Sequence, residues 1–358
     1  MERRRKPAQV RTRGPSPYIY VCTRLRVRAS RLIPREEYLR LLQMDLDEIT
    51  RFIEETEYKG EIDELATSFS GIDLVEVALS WNMAKEFQRI LEITPGTLRH
   101  FTENYLRRFD IQNALTIIRG KSQGIPAGRI KEVLVPAGEF DREFLDRLIA
   151  EDTVEGVVEA LKGTPLGRVL ASEFPAAQER GSFSRLENQL YKDLYQQLIA
   201  DARSGMKGGD IFHQYLQLEI DVTNIKNIFR LRGVLDREEI GERMIPGGTI
   251  RVEELQRIST LEEFDEFIDA LKEKVKLEPI REALERVREK QPVHEVELAL
   301  TRMMIDQMER TTKRRPFSVY PILTYLELKN HEVVNLRALA RGKEAGLPAE
   351  EIQPYLVM

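Results

Sequence analysis

The sequence predicts an all-α protein, built as three similar helical domains in a pseudo-threefold, funnel-like arrangement. Three observations predict it. Apolar residues recur at helical spacing from residue 18 onward, and alternating strand-like segments of any length are absent. A motif containing an asparagine and an arginine returns three times, and its arginines, Arg119, Arg230 and Arg341, lie 111 residues apart at both steps. The chain begins partway through one such unit and ends partway through another, so its last segment supplies what the first unit lacks.

Composition sets the bounds. The chain has 358 residues, 42% hydrophobic and 32% charged, which is the balance of a globular protein with a heavily charged surface rather than a disordered one. A net charge of -5 excludes nucleic-acid binding by the surface as a whole and leaves only local basic contacts. Cys22 is the sole cysteine, so no disulfide can form within the chain, as suits a reducing compartment. The most apolar stretches, such as Ile72 to Trp81, are interrupted by Asp73 and Glu76 and are too short to cross a bilayer. The basic start, from Glu2 to Lys6, is followed by Arg11, Arg13 and Gly14 rather than by the apolar run of a signal peptide. A cytoplasmic protein, peripheral to any membrane, is the expectation.

Taken in order, residues 1–17 read as a flexible basic tail, rich in arginine and broken by Pro7, Gly14, Pro15 and Pro17. Three helical units follow, at 18–119, 120–230 and 231–341, and residues 342–358 form a C-terminal segment closing onto the first unit. Each unit opens on a Gly/Pro turn with a short amphipathic helix, continues with small helices such as Asp141 to Leu161, and closes with a long antiparallel hairpin. Leu98, Phe101, Tyr105 and Phe109 form an apolar stripe on one such helix. Leu186, Leu190, Leu194 and Leu198 form another, with Ser184 and Glu187 spaced as a capping box at its start. The glycine-rich Ser204 to Gly209 reads as the turn between two long helices.

The repeat is clearest around Asn113, Asn224 and Asn335. An acidic residue precedes each asparagine by three (Asp110, Asp221, Glu332), and an arginine follows it by six (Arg119, Arg230, Arg341). Pro136-Ala137-Gly138 and Pro246-Gly247-Gly248 fall at nearly the same point of successive units, and Arg28 to Tyr38 resembles the stretch from Arg341 to Glu351. Asparagine is a mediocre helix former. Its recurrence inside helices therefore calls for a hydrogen bond that fixes helix packing, with the arginine bracing a helix terminus; a ligand site made three times is the competing reading.

No catalytic pattern stands out. Gly120-Lys121-Ser122 resembles the end of a phosphate-binding loop, but Leu115 stands where the first glycine is required, and the triplet ends a helix instead of starting one. A glycine cap, with the lysine complementing the helix dipole, accounts for it better. His100, His213, His294 and His331 lack metal-ligand spacing, Cys22 has no histidine near it in sequence, and no dinucleotide-binding glycine motif is present. Neither a catalytic residue nor a cofactor is expected.

The stretches from Tyr105 to Asn113 and from Asn335 to Lys343 resemble the C subunit of archaeal-type (A-type) ATP synthases, whose eukaryotic relative is the d subunit of the V-type ATPase. The resemblance extends from about Tyr18 to Val357. It departs at Phe109, where the family often has tryptophan, and at Leu231, which replaces the glycine in the middle copy. The resemblance implies a funnel of three helical domains on the cytoplasmic face of the cell membrane. Such a funnel receives the D and F subunits of the central stalk, sits on the proteolipid rotor ring, and passes torque between ATP chemistry and proton or sodium translocation without a catalytic site of its own. Packed antiparallel helices have the stiffness such a coupler needs. Two other classes compete: a free-standing helical repeat scaffold for protein–protein binding, and an RNA-binding protein acting through the basic tail.

Overall fold

The computed structural model describes residues 17–288 and 293–357. Of the basic tail only Pro17 is described, as the first residue of helix α1; residues 1–16 lie outside the described residues. All regular structure among the described residues is helical. Helix α1 (Pro17–Ala29) leads into three short helices, α2 (Arg35–Leu41), α3 (Leu46–Glu54) and α4 (Lys59–Leu65), and then into a hairpin of long helices, α5 (Gly71–Ile93) and α6 (Gly96–Ser122). The order recurs twice. Helices α7 (Ala127–Glu132), α8 (Arg142–Ala150), α9 (Val154–Ala160) and α10 (Gly167–Arg180) precede the hairpin of α11 (Ser184–Arg203) and α12 (Gly209–Leu231). Helices α13 (Arg237–Arg243), α14 (Val252–Ser259), α15 (Phe264–Lys274) and α16 (Glu278–Arg286) precede that of α17 (Val293–Arg314) and α18 (Tyr320–Glu344). A short α19 (Ala349–Ile352) and a single 3₁₀ turn lead to the end.

The hairpins pack on one another in succession. Helix α6 lies against α11, α12 against α17, and α18 against α5, so the chain of contacts returns to its start, with α1 along α18. Neighbours on several sides explain why α5, α6, α12 and α18 bury apolar residues around most of their circumference. The two predicted stripes, from Leu98 to Phe109 and from Leu186 to Leu198, are buried throughout. One apolar cluster joins all three hairpins. A second, including Ile228, Leu255, Phe267, Leu284 and Leu300, encloses the short helices α13 to α16 between α12 and α17.

Two local readings of the sequence are corrected. Ser184 is the first residue of α11, not its cap; Phe183 takes the cap position and has no side-chain acceptor, and the Glu187 carboxylate is taken up by Arg119. True capping boxes occur at Asp45 with Glu48 and at Asp236 with Glu239. Nor is Gly120 the cap of α6. That role falls to Gly124, at φ +69°, with the Ile125 N–H donating to the Gly120 carbonyl at 2.8 Å in a Schellman closure. Gly120 sits within the helix because a Cβ there would lie 2.7 Å from Ile130 Cδ1. Gly342 meets Ile352 in the same way, whereas α12, with Leu231 at this position, ends at that residue.

Candidate functional site

The recurring residues each make the same kind of contact. Asn113 on α6 donates from Nδ2 to the Val135 carbonyl at 2.7 Å and accepts from the Val135 N–H at 2.9 Å. Asn224 on α12 holds both backbone groups of Ile245 at 2.8 Å, and Asn335 on α18 holds those of Val357 at 2.9 and 2.8 Å. A primary amide matches the donor and acceptor of one peptide residue at once, and no carboxylate or hydroxyl does so as well. The asparagine thus anchors the loop that follows each hairpin to the buried face of its second helix.

The acid three residues earlier anchors the same region. Asp110 accepts from the N–H groups of Glu139 and Phe140, both at 2.9 Å; Asp221 accepts from those of Thr249 and Ile250 at 2.9 and 3.2 Å. Gly138 and Gly248 are required there, since a Cβ would stand 2.3 and 2.2 Å from the carboxylate oxygens. Glu332, the third member, takes its backbone donor from the far end of the chain, the N–H of Ile33 at 2.6 Å. It also accepts from the Tyr58 hydroxyl at 2.7 Å and from Lys329 at 2.8 Å. Burial pushes the Asp110 carboxyl up to about 7, against the pull of its two N–H donors.

The arginines reach outward. Arg119 pairs with Glu187 on α11, Arg230 with Glu297 on α17, and Arg341 with Glu76 on α5. Each ties the end of one hairpin to the first helix of the next. All three are substantially exposed, so these pairs fix geometry more than they add stability. Two residues on, Lys121 donates to the Ile149 carbonyl at 2.7 Å, Arg232 to Leu261 and Glu262 at 2.6 Å, and Lys343 to Leu42 at 2.6 Å. Lys121 thus stands as a cation in the last turn of its own helix and also serves the C-terminus of α8. The three asparagines sit on separate helices and hold separate loops; the structure does not gather them into one site.

Where α6, α12 and α18 converge lies a buried polar group that the repeated motif does not reveal. Arg108 stacks on the Tyr105 ring, 3.6 Å from its centre, and grips Glu219 with both terminal nitrogens at 2.8 and 3.3 Å. The Tyr105 hydroxyl donates to Glu327 at 2.6 Å and lies 2.5 Å from that of Tyr215. Burial, Glu219 and Glu327 together hold both tyrosines well above the usual phenol range, so they remain neutral donors. The group locks three helices together and presents no open position. Each histidine has its own environment: His100 lies beside Asp201, His213 beside Arg203, and His331 near Glu327, while His294 stacks on Tyr355. Among the described residues no cluster of His, Cys, Asp and Glu could hold a metal ion.

The family profile described as ATP synthase (C/AC39) subunit matches residues 21–355, which takes in every brace just described except the Val357 end of the third. The chain belongs to this family. The A-type ATP synthase C subunit of Methanosarcina mazei is 38% identical over 97% of this chain and 94% of its own length. That of Haloferax volcanii is 36% identical over 97% and 99%, and that of Archaeoglobus fulgidus 35% over 95% and 96%. The protein is thus a subunit of an A/V-type rotary ATP synthase, distinct from the catalytic subunit, and works beside the other subunits of that complex. No helix among the described residues is long and apolar enough to cross a membrane.

Proposed function

We propose that this protein is a non-catalytic central-stalk element that couples the rotor stalk, made of the D and F subunits, to the proteolipid ring. In this reading it is peripheral to the cytoplasmic face of the membrane, and no residue of it turns over ATP. Units 18–119, 120–230 and 231–341 form a pseudo-threefold funnel, which residues 342–358 close onto the first unit. The observation that carries the reading is the family match over residues 21–355. The bracing supports it in physical terms. Torque passed through a protein is lost wherever helices slide, and each joint between hairpins is held by an anchored loop and a cross-joint ion pair. Helix α18 is tied to the first unit twice, by Glu332 to Ile33 between α1 and α2 and by Arg341 to Glu76 on α5, which supports a closed rather than an open array.

The test is a pull-down of the purified chain against the D–F pair and, separately, against the detergent-solubilised ring. Binding to both is expected, with ATPase activity at background. Binding to neither would move the protein to the free-standing scaffold class, and turnover that survives further purification would end the non-catalytic assignment.

A further inference from the structure

Cations and exposed apolar side chains gather at one end of the molecule. Helix α1 starts there, between two hairpin turns. The Tyr18 hydroxyl donates to the Lys207 carbonyl at 3.1 Å in the α11–α12 turn. One turn along α1, the Cys22 thiol faces the Ser318 carbonyl in the α17–α18 turn at 3.7 Å, and Arg26 lies over the Phe317 ring, 5.7 Å from its centre. These contacts make α1 and the two turns one continuous face.

That face is basic. Arg24, Arg26, Lys207, Lys313, Arg314 and Arg315 are all exposed, and among the described residues none of them takes part in a salt bridge. Other exposed cations also stand without an ion pair among the described residues, Arg35, Arg51, Arg237 and Arg257 among them, so it is the gathering of six on one face that sets it apart. Ile19, Tyr20 and Phe317 stand among these cations with 43%, 59% and 48% of their surfaces exposed. Asp210 stands beside Tyr18, and Glu309 lines a pocket together with Arg26 and Lys313; the cations outnumber these two acids. The sixteen residues that join α1 at Pro17 carry Arg3, Arg4, Arg5, Lys6, Arg11 and Arg13 against the single acid Glu2. In a chain of net charge -5, this concentration gives the molecule a strong charge asymmetry.

We propose that this face docks on an anionic phospholipid surface. Unpaired Lys and Arg side chains gain attraction from acidic headgroups, and they can extend toward them while their stems cover apolar surface. Aromatic side chains with one apolar and one polar end prefer the headgroup layer, and Tyr20 is of this kind. Neither ingredient suffices alone: the apolar residues are too few for insertion, and the cations alone would bind any polyanion. The combination, together with the peripheral placement at a membrane proposed above, selects a lipid surface. The proposal does not depend on which subunits the chain couples.

The experiment is co-sedimentation of the full chain with sucrose-loaded vesicles, of phosphatidylcholine alone or mixed with phosphatidylglycerol, across a salt series. Binding to the mixed vesicles, absent from the neutral ones and falling with salt, is expected. Each cation removed near such a surface weakens binding by roughly fivefold, so the triple variant Lys313→Ala/Arg314→Ala/Arg315→Ala loses roughly a hundredfold in partitioning. Tyr20→Ser/Phe317→Ser weakens it further at high salt. A control triple on α13 and α14, Arg237→Ala/Arg251→Ala/Arg257→Ala, leaves it unchanged. Melting curves confirm that the variants fold, and the lipid and salt series on the unaltered chain needs no variant. Absence of binding to mixed vesicles at low salt overturns the proposal, as does an equal loss from the control triple. Retention on RNA or heparin without vesicle binding would give the face to a polyanionic macromolecule and overturn it too.

Discussion

Asn224→Ala isolates the anchoring of a loop by a helix amide. The side chain is fully buried, and its two bonds, both 2.8 Å, satisfy the N–H and C=O of Ile245, itself 5% exposed. Alanine leaves both backbone groups buried without partners, at about 1–3 kcal/mol each. Part of this is recovered by local relaxation, so the variant loses about 3 kcal/mol. Unfolding entropy of about 2.1 cal/mol/K per residue, over 358 residues, converts this to a fall in Tm of about 4 °C. Thermal unfolding followed by calorimetry is the assay. The three copies supply an internal scale: Asn113→Ala should match Asn224→Ala, while Asn335→Ala should cost less, because Val357 is only half-buried. An unchanged Tm for Asn224→Ala, or a larger loss at Asn335 than at Asn224, would refute the reasoning.

Arg230→Ala removes a pair whose arginine side chain is 62% exposed, so its Tm should fall by less than about 1.5 °C, corresponding to under about 1 kcal/mol; a drop as large as that of Asn224→Ala would make the ion pair the principal brace. Asp110 holds its proton more tightly folded, at about 7, than unfolded, near 3.8. The stability it contributes is therefore complete below about pH 4 and is lost as the pH rises toward 7. Relative to the wild type, Asp110→Asn, which does not titrate, should gain in Tm across that window, and a constant difference between the two melting curves would exclude the titration. Cys22 is fully buried, and burial pushes its thiol up to about 11, so iodoacetamide at pH 8 should modify it only on unfolding; rapid labelling of the folded chain would show that α1 opens locally.

The parts legible in the sequence are those repeated in register. The buried amide, the acid before it and the cation after it recur because each hairpin must anchor the loop behind it. The central group around Arg108 was not legible, although it lies on the same helices. At 111-residue spacing Tyr105 corresponds to Leu216 and Glu327, and Arg108 to Glu219 and Asn330. Complementary partners replace identical ones, so a comparison for identity passes over them. The usable signal was local: Glu219 stands between Leu218 and Ile220, on a helix whose neighbouring positions are apolar. The capping box at Ser184 misled because the spacing of Ser184 and Glu187 is equally well satisfied by a Glu187 that serves Arg119 across a joint. Spacing records which residues can meet locally and leaves out the competitor brought by tertiary packing.

Closure of the chain on itself also explains why the third copy carries glutamate where the others carry aspartate. Asp110 and Asp221 reach donors 28–30 residues downstream, whereas Glu332 reaches one 299 residues away in sequence. Bringing ends together across a tenfold longer loop costs about 2 kcal/mol more, from the logarithmic growth of closure entropy. That joint holds more than a carboxylate on backbone donors. Glu332 is surrounded by the Ile33 N–H, the Tyr58 hydroxyl and Lys329, and Lys329 is itself buried over the Tyr58 ring, 4.0 Å from its centre. A charge-assisted bond is worth more than a neutral one, and the longer glutamate side chain can reach all three donors. The costliest joint in chain entropy is thus the one with the strongest local bonding. Such a distribution suits the coupler proposed above, whose joints must hold under load.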